Sequence, residues 1–437
     1  MSATTSAPAT AVRPSVLDRV LRDYQSVAEG LPGDALAQAA RARAAAQLTA
    51  LGWPSARDEQ WRYANLRAFE RLGGYRPASG TAEDAAAALK ALRQDTALPA
   101  PVPGFERLIY VDGIHVDGTQ RLQGDAGERT AGWDWPAEQR LGLLCDMFAS
   151  DSARLRVRGE AAIEILFITS ERAAGAAVYP RLQLQLEPGS HLKLIERHLG
   201  AAAAPALVAC NVTIELARAA VLTHYRLQQY GRDTLFADTL GARLADQARY
   251  THRSVAVGAG TARTSARVQL AGRGAALAWQ AIAVGRGEQV HDTTLKVEHN
   301  APDTSTEELF RGIADERARI AFSGHIHIDT TAPGSQARQS LRGLIEGAGA
   351  EIDLRPRLEI LTDEVRAAHG ATTGRLDEDL LFYMLARGID RQTARALLKW
   401  AFLSDVLREI DLPGLRAEAE RLAAGQLQDV QAIGALS

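Results

Sequence analysis

Histidines are the residues of this sequence best suited to bind a metal or transfer a proton. His325 and His327 are separated by one residue in Gly324-His-Ile-His-Ile328. Alternate residues of a β-strand share a face, so both imidazoles could reach one ion. Two ligands are too few for a metal site, and strand histidines are commonly hydrogen-bonded or exposed. We therefore expect a structural role for this pair, with metal binding as the weaker alternative.

His369 lies in a different setting, within the small-residue segment His369-Gly-Ala-Thr-Thr-Gly374. Glycine and threonine leave an imidazole accessible, and imidazole binds metals and titrates near neutral pH. On residue type alone, a structural histidine at a junction remains the favoured interpretation, because a single histidine is seldom a site. His299 precedes a polar segment and is predicted to be an exposed loop residue.

Motifs for common catalytic chemistry are missing. The sequence contains no GxxxxGK[ST], HExxH or GxSxG, so it should not hydrolyse ATP through a P-loop. Cys145 and Cys210 are the two cysteines, and they form neither a disulfide framework nor a CxxC metal motif. Each falls on an apolar face, which predicts buried structural thiols.

Composition narrows the class of protein. The chain has 437 residues, a formal net charge of -3 and 46% hydrophobic residues. It can bury a sizeable core, and it lacks the basic excess of a nucleic-acid-binding protein. No apolar run is long enough to cross a bilayer. We expect a cytoplasmic protein that binds neither nucleic acid nor membranes.

The hydrophobic pattern divides the chain into five regions. A disordered tail, an N-terminal helical region, a mixed connecting region, a strand-rich core and a C-terminal helical region are predicted over residues 1–14, 15–104, 105–160, 161–372 and 373–437. The core alternates apolar and polar residues without a helix-length interruption, which favours a sandwich, a barrel or a solenoid over a βαβ sheet.

Turn and capping residues mark the ends of several elements. Asp112-Gly113, between two short apolar runs, predicts a β-hairpin. Asp377 and Asp390 are predicted N-caps of two terminal helices, the second of which is predicted to end near Pro413. Sequence repeats are blurred, with no hexapeptide or nonapeptide period, so repetition does not select the solenoid.

Four segments near the end of the chain occur in a distinctive order: Arg355-Pro-Arg-Leu-Glu-Ile360, His369-Gly-Ala-Thr372, Phe382-Tyr383 and Arg387-Gly-Ile389. This order resembles the C-terminal signature of the SufB/SufD family of iron–sulfur cluster assembly proteins. Weaker likeness extends to Gly324–Ile328 and to the segment from Gly52 to Tyr63. The resemblance therefore touches most of the chain.

Two features favour the SufD side of this family. SufB-like members carry a cysteine upstream of the signature and a glutamate after the matching histidine, whereas here no cysteine follows Cys210 and Gly370 follows His369. Ala367 stands where many SufD-like members have cysteine, which removes a thiol ligand. A SufB-like cluster scaffold is the alternative within the family.

The resemblance implies a mainly β fold, with a right-handed parallel β-helix (solenoid) core and helical regions at both termini that shield its ends. It implies a non-catalytic scaffold that pairs with a SufB-like subunit and a SufC-like ABC-type ATPase, or forms a homodimer when alone. No intrinsic cofactor is implied. Iron or an iron–sulfur cluster would be held transiently at the partner interface, and ATP would bind only to the partner ATPase.

The resemblance also suggests site residues. His369 matches the family's functional histidine and is the candidate for iron or cluster handling. The terminal helices would dock the ATPase, with candidates Phe382, Tyr383, Arg387, Gly388, Leu398 and Phe402. The rival interpretation is a β-solenoid polysaccharide lyase or hydrolase, which needs a carboxylate pair on one solenoid face, and no pair stands out.

Overall fold

The computed structural model describes residues 14–78, 80–95, 98–117, 133, 135–200 and 206–427. The predicted tail lies outside these residues except for Pro14. The helices are α1 (Val16–Val27), α2 (Ala35–Leu51), α3 (Leu66–Arg71), α4 (Ala82–Asp95), α5 (Gly142–Phe148), α6 (Glu378–Ala386), α7 (Arg391–Leu407) and α8 (Pro413–Leu427).

The strands follow one another almost without interruption. They are β1 (Glu106–Val111), β2 (Ile114–Asp117), β3 (Ala153–Val157), β4 (Glu160–Thr169), β5 (Ala177–Val178), β6 (Arg181–Leu186), β7 (His191–Gly200), β8 (Ala206–Leu216), β9 (Val221–Gln229), β10 (Thr234–Leu244), β11 (Arg249–Ala256), β12 (Thr261–Leu270), β13 (Ala276–Gly285), β14 (Val290–His299), β15 (Ser305–Ala314), β16 (Arg319–Ile328), β17 (Ser335–Ile345), β18 (Glu351–Ile360) and β19 (Val365–Gly374).

These strands form a parallel β-solenoid of about seven turns, which confirms the predicted solenoid core. Successive strands alternate between two sheets. Sheet I has the order β19-β17-β15-β13-β11-β9-β7-β4-β1-β2, and sheet II has the order β18-β16-β14-β12-β10-β8-β6-β3. Among the strands described, β2 alone runs antiparallel, paired with β1 across Asp112 and Gly113, so the predicted hairpin is confirmed.

Side-chain alternation explains the solenoid interior. In β6, Leu182, Leu184 and Leu186 are buried between more exposed polar residues. Their register partners in β8 are Val212, Ile214 and Leu216, so apolar residues stack on apolar residues from turn to turn. Each turn thereby buries the inward face of its neighbour, which is how a repeat that cannot fold alone becomes stable.

One corner of the solenoid is built in the same way in six successive turns. A residue with positive φ occupies it each time, namely Gly189, Ala219, Gln247, Gly274, Asp303 and Gly334. The backbone N–H of each donates to a carbonyl of the following turn. Three of the six are not glycine, so the bonds between turns must offset the strain of a left-handed conformation.

The helices pack on the outer faces of the sheets. The cluster formed by α1, α2, α3 and α5 lies against sheet II around β8, whereas α7 and α8 lie against sheet I around β13 and β15. The predicted N-caps Asp377 and Asp390 are confirmed, since their carboxylates accept backbone N–H groups of α6 and α7. The structure adds a further helix, α8, which begins at Pro413. Proline is well suited to the first position of a helix, because the backbone N–H it lacks would have no partner there.

The C-terminal end of the solenoid is open. β18 and β19 are the outermost strands of the two sheets, and β19 is exposed along nearly its whole length. Ile360, the last residue of the half-buried β18, and Leu361, which follows it, are 38% and 50% exposed. The expectation that terminal helices shield the ends is therefore wrong at this end. The apolar faces of α7 and α8 pack against the outer face of sheet I instead.

Candidate functional site at the open end of the solenoid

His369 lies in β19, exposed at the open end. Its register partner in β17 is Gln339, which is buried inside the solenoid. Because paired residues of parallel strands point to the same face, His369 stands on the inner face, at the mouth of the interior. The next residue is Gly370, where an added Cβ would meet no atom within 4 Å. The imidazole is therefore accessible to a second molecule.

A column of polar and aromatic side chains leads inward from His369. Along the inner face of sheet I, the residues in register are His224, His252, Trp279, Glu308, Gln339 and His369. A cavity of about 50 Å³ is lined by His252 and Trp279 from this sheet and by His291 from sheet II, so the column faces the interior. The open-end histidine thus ends a mainly polar column on the inner face of sheet I.

Glu308 and Gln339 form a hydrogen-bonded pair directly behind His369. Gln339 Nε2 donates to Glu308 Oε2 at 2.8 Å and to the Gly324 carbonyl at 3.1 Å. Burial raises the pKa of Glu308 to about 8, with the bond from Gln339 opposing the rise. A Cβ at position 324 would lie 2.4 Å from Glu308 Oε2, so the glycine makes room for this pair.

Replacing Glu308 with glutamine should change the pH dependence of stability. The unfolded carboxyl ionises near its usual pKa of 4.5, whereas the folded one stays protonated up to about 8. Between these values the folded state holds the extra proton, so stability falls with rising pH by up to about 1.4 kcal/mol per unit. Above pH 8 both states are ionised, so the free energy of unfolding no longer changes through Glu308. Glutamine does not titrate, so the variant should not lose stability in this way.

Urea unfolding of the wild type and Glu308→Gln at pH 5, 6, 7 and 8 measures the difference, since all other titrating groups are shared. The wild type should lose stability relative to the variant as the pH rises. A difference that stays constant over this range would show that Glu308 is not held neutral.

Deeper in the solenoid, a network of buried charges joins both sheets. Arg226 donates to Glu196 at 2.8 Å and to Asp238 at 2.6 and 3.0 Å, and His198 and His224 bond to Glu196 at 2.5 and 2.8 Å. Burial works against both charges, but the paired carboxylates raise the pKa of Arg226, and Arg226 with the histidines holds the pKa of Glu196 well below its usual range.

Among the described residues, one cluster brings three metal-binding atoms together: Glu196, His198 and Cys210 have ligand atoms within 4.8 Å of one another. The Arg226 guanidinium lies 2.8 Å from Glu196 Oε1 and 3.1 Å from His198 Nε2, so a cation's place beside these ligands is already taken. Burial also raises the pKa of the Cys210 thiol, which disfavours the thiolate that metals bind. We interpret this cluster as a structural ion network.

His325 and His327 lie on the outer face of sheet II, away from the interior column. Both face the carboxylate of Glu359 on β18, with His325 Nε2 at 3.2 Å and His327 Nδ1 at 3.6 Å from Glu359 Oε2. Burial, together with the nearby Arg357 charge, lowers the pKa of His325. A hydrogen bond to Glu359 accounts for His325, whereas His327 lies only at ion-pair distance from the same carboxylate. Metal binding by the two histidines stays a prediction.

The six docking candidates occupy two different settings. Phe382 and Tyr383 of α6 are 72% and 56% exposed, and the Arg387 guanidinium lies 4.9 Å from the Tyr383 ring centre. Gly388 has a φ of 83° just past the end of α6. In α7, by contrast, Leu398 and Phe402 are half-buried, and Phe402 packs against the core between α7 and sheet I. Of the six, the α6 residues present the larger apolar surface.

The sequence-based predictions of burial are right for the two cysteines and wrong for His299. Cys145 and Cys210 are buried, as predicted. The prediction of an exposed loop for His299 is wrong, because it is the last residue of β14 and fully buried, bonded to the hydroxyls of Thr304 and Thr306 at 2.8 and 2.9 Å. Burial, helped by the nearby His327, lowers its pKa to about 4, so it is neutral.

Sequence reasoning missed the interior column and the charge network. Members of the column recur every 27 to 31 residues, which is one turn of the solenoid. A search for chemically active residues at that spacing would have found them, since solenoids carry periods of 20–50 residues. Short hexapeptide or nonapeptide periods were the wrong length.

Comparison with known proteins gives consistent matches. The family model described as "SUF system FeS cluster assembly, SufBD core domain" matches residues 167–402. The iron–sulfur cluster assembly protein SufD of Escherichia coli is 26% identical over 392 residues, which cover 85% of this chain and 89% of that protein. A SufBD family protein of Mycobacterium bovis is 28% identical over 380 residues, or 85% of this chain and 88% of the relative.

Within the described helices, none has the length and apolar character needed to traverse a bilayer.

Proposed function

Because the chain belongs to the SufBD family of iron–sulfur cluster assembly proteins, we propose that it is a SufD-type scaffold subunit without catalytic activity of its own. It pairs with a SufB-like subunit through the solenoid and binds a SufC-like ABC-type ATPase through its terminal helices. ATP binds only to that ATPase, and the paired subunits support iron acquisition and cluster assembly. The alternative of a polysaccharide-cleaving enzyme is not favoured, because the matching family model and relatives are described as iron–sulfur cluster assembly proteins.

The open end supports the pairing with a sister subunit. Within the described residues, β18 and β19 each have one edge of backbone N–H and C=O groups without a neighbouring strand, and such edges bind another strand readily. The side chains from Arg366 to Gly374 include mainly small residues, which let a second backbone approach closely. Without the sister subunit, a second copy of this chain would use the same edges, giving a homodimer.

His369 supports the handling of iron at that interface. Imidazole is a suitable ligand for iron, and iron–sulfur clusters are otherwise held mainly by thiolates. The described solenoid end offers alanine, not cysteine, at position 367, so the sister subunit must supply the thiolates. The iron or cluster is cargo of the assembled complex.

The exposed face of α6 supports the docking of the ATPase. Leu380, Phe382 and Tyr383 are all more than half exposed, although large apolar residues are usually buried. A contiguous apolar surface of this kind commonly marks a protein interface, and aromatic residues often carry most of the binding energy.

Replacing Phe382 with serine should weaken ATPase binding without unfolding the protein. At 72% exposure the ring contributes little to the folded state, so the melting temperature should stay within about 2 °C, since exposed substitutions change stability little. Loss of an aromatic anchor should weaken binding at least tenfold, measured by titrating purified ATPase into the chain.

Two control variants frame this result. Leu36→Ser removes a large apolar side chain that is 60% exposed on α2, far from α6 in sequence, and should leave ATPase binding unchanged. Leu381→Ala removes the buried neighbour and should lower stability by about 2–5 kcal/mol. If Phe382→Ser binds the ATPase as tightly as the wild type does, α6 is not the docking surface.

A further inference from the structure

Gln339 carries a buried polar atom whose purpose the fold alone does not explain. Its side chain is 2% exposed, and its Nε2 makes two hydrogen bonds, to Glu308 and to the Gly324 carbonyl. Its Oε1 is buried and has no hydrogen-bond partner. Leaving a buried acceptor unsatisfied costs about 1–3 kcal/mol, so such an atom calls for an explanation.

The orientation of the Gln339 amide is fixed by its partners. The Gly324 carbonyl can only accept a hydrogen bond, so the end of the amide that contacts it must be the NH2 group. A side chain at position 324 would displace this amide, because an added Cβ would lie 2.7 Å from Gln339 Nε2. Glu308 Oε2 on β15 accepts from the same NH2 group, so Oε1 is the end of the amide that is left without a partner.

β19 lies on the other side of β17, and His369 is the residue of β19 in register with Gln339. Neighbouring strands are about 4.8 Å apart, so side chains on the same face of adjacent strands reach one another. His369 is exposed. A ring N–H of His369 can therefore satisfy the unpartnered oxygen of Gln339.

We propose that Gln339 is a positioning residue: it accepts a hydrogen bond from one ring N–H of His369 and leaves the other ring nitrogen free, directed out of the open end. Glu308 and the Gly324 carbonyl hold the Gln339 amide in place. Partners of this kind fix the tautomer and orientation of metal-binding histidines. The inference rests on the proposed function only in assigning iron or a cluster to the free nitrogen.

The hydrogen bond is tested first on the isolated full-length chain, without iron or partners. Nitrogen NMR of histidine-labelled protein reports the tautomer of each ring, and the His369→Ala spectrum identifies the His369 signals. One tautomer should dominate in the wild type and in Gln336→Met, because Gln336 is exposed on the outer face of the same strand. Gln339→Met should give mixed tautomers, and if it fails to fold, Gln339→Leu takes its place.

Cluster assembly in cells that depend on the chain gives the second readout. Gln339→Met should lower assembly about tenfold or more, the usual effect of losing such a partner, with an unchanged yield of complex. Equal tautomer populations in the wild type and Gln339→Met would overturn the positioning role. If His369→Ala itself leaves assembly intact, the proposed site fails, whereas loss in His369→Ala but not in Gln339→Met rejects only the positioning residue.

Discussion

Arg226→Met should lower the free energy of unfolding by about 3–5 kcal/mol, the usual result of breaking a buried ion pair by removing one partner. Methionine fills much of the space but leaves Glu196 and Asp238 as two uncompensated carboxylates in the solenoid interior, both essentially unexposed. His198 and His224 bond to Glu196, but burial lowers the pKa of His224, so it is a poor replacement for the lost charge.

Denaturant unfolding of the isolated chain measures this effect, with Arg273→Met as the matched control. Arg273 pairs with Asp303 on the surface, where the two side chains are 72% and 51% exposed. Its loss should change stability by less than about 1 kcal/mol. Neutralising both carboxylates together with Arg226, as Glu196→Gln and Asp238→Asn, should recover part of the loss. Similar values for Arg226→Met and Arg273→Met would mean that water reaches the network.

The sequence carries much of the fold in its local patterns. Alternation in segments such as Leu182-Gln-Leu-Gln-Leu186 predicts strands because one face is buried, and the capping roles of Asp377 and Asp390 follow from local hydrogen bonding. The choice of a solenoid does not follow from these patterns, because alternation is the same in a sandwich, a barrel and a solenoid. It came from the resemblance of the segment from Arg355 to Ile389.

Features that depend on the register between neighbouring turns, whose residues are distant in sequence, do not follow from these local patterns. Glu308 and Gln339 look like ordinary polar strand residues until the register places them behind His369. The burial of His299 depends on hydroxyls from the following strand, and the position of α7 and α8 depends on the apolar flank of sheet I. The open end does not follow from the sequence for a related reason. The exposure of β19 depends on where α7 and α8 pack, and they pack on the side of sheet I.

His369→Ala should stop cluster assembly while leaving the fold and the complex intact. The residue is exposed, and the segment around it is small, so truncation should change stability by no more than about 0.5 kcal/mol. If His369 binds iron as proposed, its loss, with no thiol at position 367 to replace it, should lower cluster supply at least tenfold. His191→Ala is the matched control, an exposed strand histidine near the start of β7.

The most direct test is the activity of a cluster-dependent enzyme in cells that rely on this chain, measured beside the yield of purified complex with the SufB-like subunit and the ATPase. Wild type and His191→Ala should give full enzyme activity. His369→Ala should give a full yield of complex, an unchanged melting temperature and little enzyme activity. Full activity with His369→Ala, or a loss of activity matched by an equal loss of complex or of melting temperature, would contradict an interfacial site at the open end.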